Sequence, residues 1–156
     1  MAREVLPDGI SVLDFLKQRF PIQMVDRVLS WEKGRELKAV KNITMNDIHF
    51  MGHFPGIPVF PGVLTIECFA QAAAILVRLT EGGEVKGVFD AIGSVMDFRF
   101  IKPVVPGDRL ETHVTITKVV GSNRIFEGKC SVEGEVVATG KMTFGKLNSE
   151  SLSKSL

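Results

Sequence analysis

Gly62-Val-Leu-Thr-Ile-Glu-Cys-Phe-Ala-Gln-Ala-Ala-Ala-Ile-Leu-Val77 carries only three polar side chains, Thr65, Glu67 and Gln71, in sixteen residues. A helix apolar nearly all round has no face to give to water, so this segment predicts a buried central helix. Pro61 precedes it, Gly82-Gly83 follows it and Arg78 lies near its end, which are start and stop signals of a helix. Something must wrap a helix of this kind, and the flanking sequence reads as β.

Before it, Met24 to Trp31 and Arg35 to Ile43 are rich in apolar and β-branched residues and meet at Glu32-Lys33-Gly34, which predicts a hairpin. After it, Leu110, Thr112, Val114 and Ile116 alternate with Glu111, His113, Thr115 and Thr117, giving one inward and one wet face. Phe126, Cys130 and Val132 continue the inward pattern, and Val136, Ala138, Met142 and Phe144 share a face beyond it. Turn signals at Gly121-Ser122-Asn123 and Glu133-Gly134 separate these strands. Ser11 to Lys17 reads as a short helix with Ser11 as N-cap and Val12, Phe15 and Leu16 on one side, ended by Pro21. The expected class is α+β, with a long helix wrapped by an antiparallel sheet.

The 156 residues include 19 Lys+Arg and 18 Asp+Glu, with 45% hydrophobic and 24% charged positions. A chain of this size buries roughly 68–70% of its unfolded surface, enough to fold without staples. No repeat or linker interrupts the body, so residues 1–145 are expected to form one domain and the serine-rich 146–156 a disordered tail. A formal charge of +1 argues against nucleic-acid binding, which needs a strong positive field. Arg3, Glu4, Pro7 and Asp8 interrupt the start, and the longest apolar run, Ala72 to Val77, has six residues against the ~20 that span a bilayer. A cytoplasmic protein without membrane insertion is expected. Cys68 and Cys130 read as reduced core thiols.

Glu67 is the most informative residue, because a carboxylate on a buried helix is costly unless it is paired, hydrogen-bonded or protonated. Desolvation raises its pKa, and an acid kept protonated near neutrality serves as a general acid. Gln71, at i+4, is placed to hydrogen-bond it; a purely structural Glu–Gln pair is the alternative. The loop Gly52-His-Phe-Pro-Gly-Ile-Pro-Val-Phe-Pro-Gly62 holds three of the seven prolines, so it is stiff and neither helix nor central strand. His53 supplies an imidazole suited to a general base, with a satisfied hydrogen-bonding histidine as the alternative. The loop enters the helix N-terminus, where the amides of Gly62 and its neighbour Val63 have no intrahelical acceptor and offer a site for a developing oxyanion. Metal binding by Asp47, His49 and His53 is disfavoured, because Gly52 and Pro55 break the helix that would align them. His113 falls on a wet strand face. Cys68 lacks an adjacent histidine and reads as packing. No nucleophile elbow, P-loop or dinucleotide fingerprint occurs.

The run HFPGIPVFPGVLTIECFAQA, His53 to Ala72, resembles the signature of the (3R)-3-hydroxyacyl-[acyl-carrier-protein] dehydratases of type II fatty acid synthesis. The resemblance extends to RFPIQMVDRV at Arg19 to Val28, AVKNIT at Ala39 to Thr44 and FRFIKPVVPGD at Phe98 to Asp108, and covers roughly Val12 to Phe144. It implies a hot-dog fold and a hydro-lyase that converts a 3-hydroxyacyl thioester to a trans-2-enoyl thioester without metal or organic cofactor. It implies His53 as the base at C2, Glu67 as the acid at the departing hydroxyl, Gly62, followed by Val63, as the carbonyl site, and Gln71 as support for Glu67. It further implies an acyl carrier protein as partner and an active site at a homodimer interface, with dimers often assembling into hexamers. An acyl tunnel is expected near Phe54, Ile57, Val59 and Phe60. Carrier docking is expected at Arg99 and Lys102, with Arg78, Lys86 and Arg109 as further candidates. Glutamate rather than aspartate at position 67 favours the branch that dehydrates without isomerising. Gln18 replaces a usual histidine and Met24 varies an apolar run. The chain has no tyrosine, so Phe89 and Ala91 stand where relatives place an aromatic gate. A hot-dog thioesterase and a non-catalytic acyl-binding homologue are the competing readings.

Overall fold

The computed structural model describes Leu6 and residues 11–83 and 86–154. Ser11 caps a one-turn 3-10 helix, Val12–Asp14, accepting from Leu13 N, while the Asp14 carboxylate accepts from Ser11 N. This helix is shorter than expected and ends well before Pro21, yet Val12 and Leu16 are buried on one side of it. Two strands follow, β1 (Arg27–Glu32) and β2 (Glu36–Asn42), paired antiparallel as Trp31 with Leu37 and Glu32 with Glu36. Gly34 turns the hairpin at φ +69°, a left-handed value that glycine adopts without strain. A second 3-10 turn, Ile48–Met51, leads into the proline-rich loop.

Helix α1 runs from Gly62 to Glu81, one turn beyond the expected Val77. Gly82, in the left-handed conformation at φ +81°, closes it by donating to Arg78 O. Four strands complete the sheet: β3 (Val88–Phe100), β4 (Arg109–Val120), β5 (Asn123–Val132) and β6 (Glu135–Asn148). All are antiparallel, in the spatial order β1-β2-β4-β5-β6-β3, which leaves β3 at one edge. The sheet packs its inner face on α1. Phe69, Ile75, Leu76 and Val77 of the helix are buried against Leu37, Val114, Phe126 and Met142, and nearer its N-terminus Leu64 and Cys68 meet Ile43, Leu110 and Cys130. Burial pushes the Cys68 thiol well above its ordinary range and that of Cys130 to about 11, so both are inert core residues.

Two expectations need correction, and one strand was not anticipated. The strand β3, of 13 residues, is not legible as an alternating pattern, because its pairing with β6 slips twice, at Ile92/Ser94 and Met96/Arg99. In β6 the buried residue is Val137 rather than Val136, since pairing with β5 shifts between Cys130 and Ser131 and inserts one extra residue. The segment from Lys146 is not a disordered tail. Strand β6 continues to Asn148 and a one-turn helix, α2, spans Ser149–Ser153, while residues 155–156 lie outside the described residues. Lys146 Nζ lies 2.6 Å from Asp90 and 2.7 Å from Glu81; Asp90 also holds Arg78 at 3.4 Å and Glu81 holds Arg124 at 2.7 Å. Burial alone would raise the Glu81 carboxyl, but its two cations outweigh it and hold the pKa below the ordinary value.

Candidate active site

The N-terminal turn of α1 holds the carbonyl-site candidates Gly62 and Val63. Pro61 occupies the N-cap and contributes no side-chain cap, while its carbonyl accepts from Leu64 N at 2.9 Å and Thr65 N at 3.2 Å. Among the described residues the Gly62 and Val63 amides donate to nothing, and so remain free for a ligand oxygen. A cavity of about 380 Å³ lies against this turn, lined by His53, Val59, Phe60, Gly62 and Thr65 on one side and by Phe100 to Val104, Val137 and Ala138 on the other. A Cβ on Gly62 would come within 3.1 Å of the Phe100 ring, which would have to give by a few tenths of an ångström to admit it. Val63 points out to solvent at 71% exposure, so only Gly62 of that pair faces the cavity.

His53 is fixed by three contacts. Its backbone N donates to His49 O at 3.0 Å, its ring stacks on Phe54 at 4.0 Å between centroids, and its Nδ1 lies 2.8 Å from Val59 O. A carbonyl can only accept, so Nδ1 carries a proton, and in the neutral imidazole the lone pair then lies on Nε2; the tautomer is assigned from this hydrogen bond. An imidazole in that tautomer is set to take a proton.

Glu67 stands elsewhere. At 3.6 residues per turn it lies roughly 160° round the helix from Thr65 and 140° from Gly62, and it does not line the His53 cavity. Its Oε1 accepts from Gln71 Nε2 at 2.8 Å. Gln71 is fully buried, and the same amide donates to Ile22 O at 2.6 Å while its Oε1 accepts from Met24 N at 2.7 Å. Gln71 thus staples residues 22–24 to α1 as well as orienting Glu67. Burial raises the Glu67 carboxyl above the usual range, opposed by the Gln71 hydrogen bond.

Of the residues expected in the tunnel, Val59 and Phe60 line the cavity, whereas Phe54 and Ile57 are exposed. The docking candidates divide. Arg78 is buried against Asp90 and cannot dock anything; Arg109 pairs with Glu111 and Lys102 with Glu135 at 2.5 Å. Arg99 is exposed and has no ion pair among the described residues. Asp47 pairs with the buried Lys41 at 3.3 Å, and among the described residues no three His, Cys, Asp or Glu side chains stand together as a metal would need. His113 is half-buried and lies 3.1 Å from Glu36 rather than freely solvated.

An apolar helix wrapped by one antiparallel sheet defines a hot-dog fold. The dehydratase heterocomplex ApeI:P from Xenorhabdus doucetiae superposes with a TM-score of 0.76 at 17% identity, over 94% of this chain and 97% of that one. A hot-dog-like protein from Thermanaerovibrio acidaminovorans gives 0.64 at 18% identity, over 80% and 90%. In sequence, residues 16–141 match the FabA-like domain. The 3-hydroxyacyl-[acyl-carrier-protein] dehydratase FabZ of Yersinia enterocolitica is 44% identical over 132 residues, 85% of this chain and 79% of the relative. The chain belongs to the FabA-like domain family.

Proposed function

We propose that this protein dehydrates (3R)-3-hydroxyacyl-acyl-carrier-protein to trans-2-enoyl-acyl-carrier-protein in fatty acid biosynthesis. The observation that carries the reading is the shared cavity of His53, with Nδ1 held by the Val59 carbonyl, and Gly62, with its amide free, in a chain 44% identical to a named dehydratase. His53 Nε2 removes the C2 proton while the Gly62 N–H holds the thioester oxygen as it gains charge. The C2–C3 double bond forms as the C3–O bond breaks, and the departing hydroxyl takes the Glu67 proton and leaves as water. The raised pKa of Glu67 suits that donation.

The helical separation of Glu67 from the His53 cavity fits a homodimer in which each cavity receives Glu67 from the partner subunit. The edge strand β3 supports this arrangement, since it offers an unpaired edge and exposes Ile92, Val95, Met96 and Phe100. Association of such dimers into a hexamer is the further step the family resemblance implies. Arg99, beside the cavity strand, is the cation best placed to meet an acidic carrier protein, and Lys102 joins it if Glu135 gives way.

The test follows enoyl absorbance and free thiol together, with 3-hydroxybutyryl-carrier protein as substrate. Enoyl product without thiol is expected, and it should vanish in both His53→Ala and Glu67→Gln while their folded spectra are kept. Thiol release would instead make the protein a thioesterase, and wild-type turnover in either variant would remove that residue from the mechanism.

A further inference from the structure

Five polar or charged residues are buried in this protein among those described: Lys41, Thr65, Gln71, Arg78 and Thr112. Four have evident partners. Lys41 meets Asp47, Gln71 meets Glu67 and the 22–24 backbone, Arg78 meets Asp90, and the Thr112 hydroxyl meets Cys130 Sγ at 3.6 Å. Thr65, only 3% exposed, has no hydrogen-bond partner for its hydroxyl among the described residues. Helical threonines ordinarily turn their hydroxyl back onto the carbonyl four residues earlier. Thr80 of the same helix does so, donating to Leu76 O at 2.6 Å. For Thr65 the corresponding carbonyl is Pro61 O, which already accepts two amides.

The Thr65 side chain instead lines the His53 cavity. Its hydroxyl is not sealed off, since the buried polar atom lacking both solvent and partner among the described residues is Trp31 Nε1. A buried hydroxyl with no protein partner and one open side is available to an incoming group. Side chains on a helix lean toward its N-terminus, and Thr65 lies one turn after Gly62 on the same face. Its hydroxyl therefore leans toward the space beyond the Gly62 amide.

We propose that the Thr65 hydroxyl donates to the substrate's thioester oxygen alongside the Gly62 N–H, making the carbonyl site a two-donor oxyanion site. The proposal rests on the dehydratase reading for the identity of the carbonyl. Apart from His53 and Lys102 the cavity's lining is largely apolar, with Val59, Phe60, Val104 and Val137 among it, so a second donor there is less screened than one in open water. The hydroxyl's own proton stays on Thr65 throughout: it strengthens its hydrogen bond as charge grows on the oxygen and relaxes when the enoyl thioester forms.

Thr65→Val keeps the shape and removes the donor; Thr65→Ser keeps the donor. With 3-hydroxybutyryl-pantetheine as substrate, Val is expected to lower kcat about a hundredfold with KM little changed, and Ser to hold it within about threefold of wild type. Independently of turnover, the infrared carbonyl stretch of bound, unreactive butyryl-pantetheine should sit below its free value in wild type and Ser, and move back toward it in Val. A Val variant equal to wild type in both measurements overturns the proposal, as does loss of kcat in Val without any carbonyl change. A wild type that does not turn over but shows the Thr65-dependent stretch upholds the donor while removing the dehydratase reading. The absence of both overturns both.

Discussion

Gln71→Met should cost stability and function by separable amounts. Methionine nearly matches glutamine in length and tolerates burial, so the cavity term is small and the lost hydrogen bonds dominate. Met24 is 1% exposed, and its N–H, now received by Gln71 Oε1 at 2.7 Å, would be left buried without a partner, at about 1–3 kcal/mol. The Ile22 carbonyl, partly buried, loses a 2.6 Å bond that water can partly replace, worth about 1 kcal/mol. The sum is about 2–4 kcal/mol, which in a domain of this size lowers Tm by about 4–16 °C. Thermal unfolding of wild type and variant at one protein concentration measures it, since assembly would otherwise shift both curves. Glu67 also loses the hydrogen bond that opposes the effect of burial, so its pKa rises further and the alkaline limb of the rate profile moves to higher pH. A Tm within about 1 °C of wild type would refute the view that Gln71 staples residues 22–24 to the helix.

Glu67→Gln tests the electrostatics of burial: between the ordinary carboxyl pKa and the raised one the folded protein binds more protons than the unfolded, so wild-type stability falls as pH rises through that window. The Gln variant lacks the slope, and its stability relative to wild type should climb from acid to neutral pH; a flat difference would mean that Glu67 titrates normally. Gly62→Ala puts a Cβ within 3.1 Å of the Phe100 ring and narrows the approach to the amide, so kcat/KM should fall about tenfold or more while Tm barely moves, because alanine favours the helix. Asp90→Asn strips a carboxylate from the buried Arg78 and should cost about 3–5 kcal/mol in urea unfolding, most of it recovered when Arg78 is also replaced by Met.

The buried helix was legible because burial and apolarity coincide from Leu64 to Val77, but its last turn was not. Arg78, Thr80 and Glu81 look like a solvated end, and only the fold shows Arg78 buried on Asp90 and Thr80 bonded to Gly34 N. Strand β3 hid because Asp97, at φ +52°, and Phe98 sit in a slip of register that breaks the two-residue alternation. For the proposed site, His53, Gly62, Glu67 and Gln71 were each singled out as candidates from residue type and neighbours. That Glu67 turns away from the His53 cavity follows from helical phase once the helix is assumed, yet what lies on each side does not. Thr65 was visible only as a polar letter in an apolar run; its want of a partner depends on Pro61 O already being taken, which spacing alone does not reveal.

Gly128 and Gly140 face each other across β5 and β6, and what they lack shapes the centre of the protein. A Cβ on Gly128 would fall 2.6 Å from the Phe69 ring, and one on Gly140 would fall 2.1 Å from Phe98, whose ring meets that of Phe69 edge-on at 5.5 Å. The two glycines form a mould for a pair of aromatic rings. A slip of one residue on β5 or β6 would present Glu127, Lys129, Thr139 or Lys141 to that hollow in place of glycine, setting a polar chain or a charge against the rings. Alignment of the strands is therefore checked by the helix and the edge strand at once. The same vacancy that lets Phe69 and Phe98 seat also carries the alignment outward to β3, where Phe100 packs on Phe98 and walls the cavity opposite Gly62.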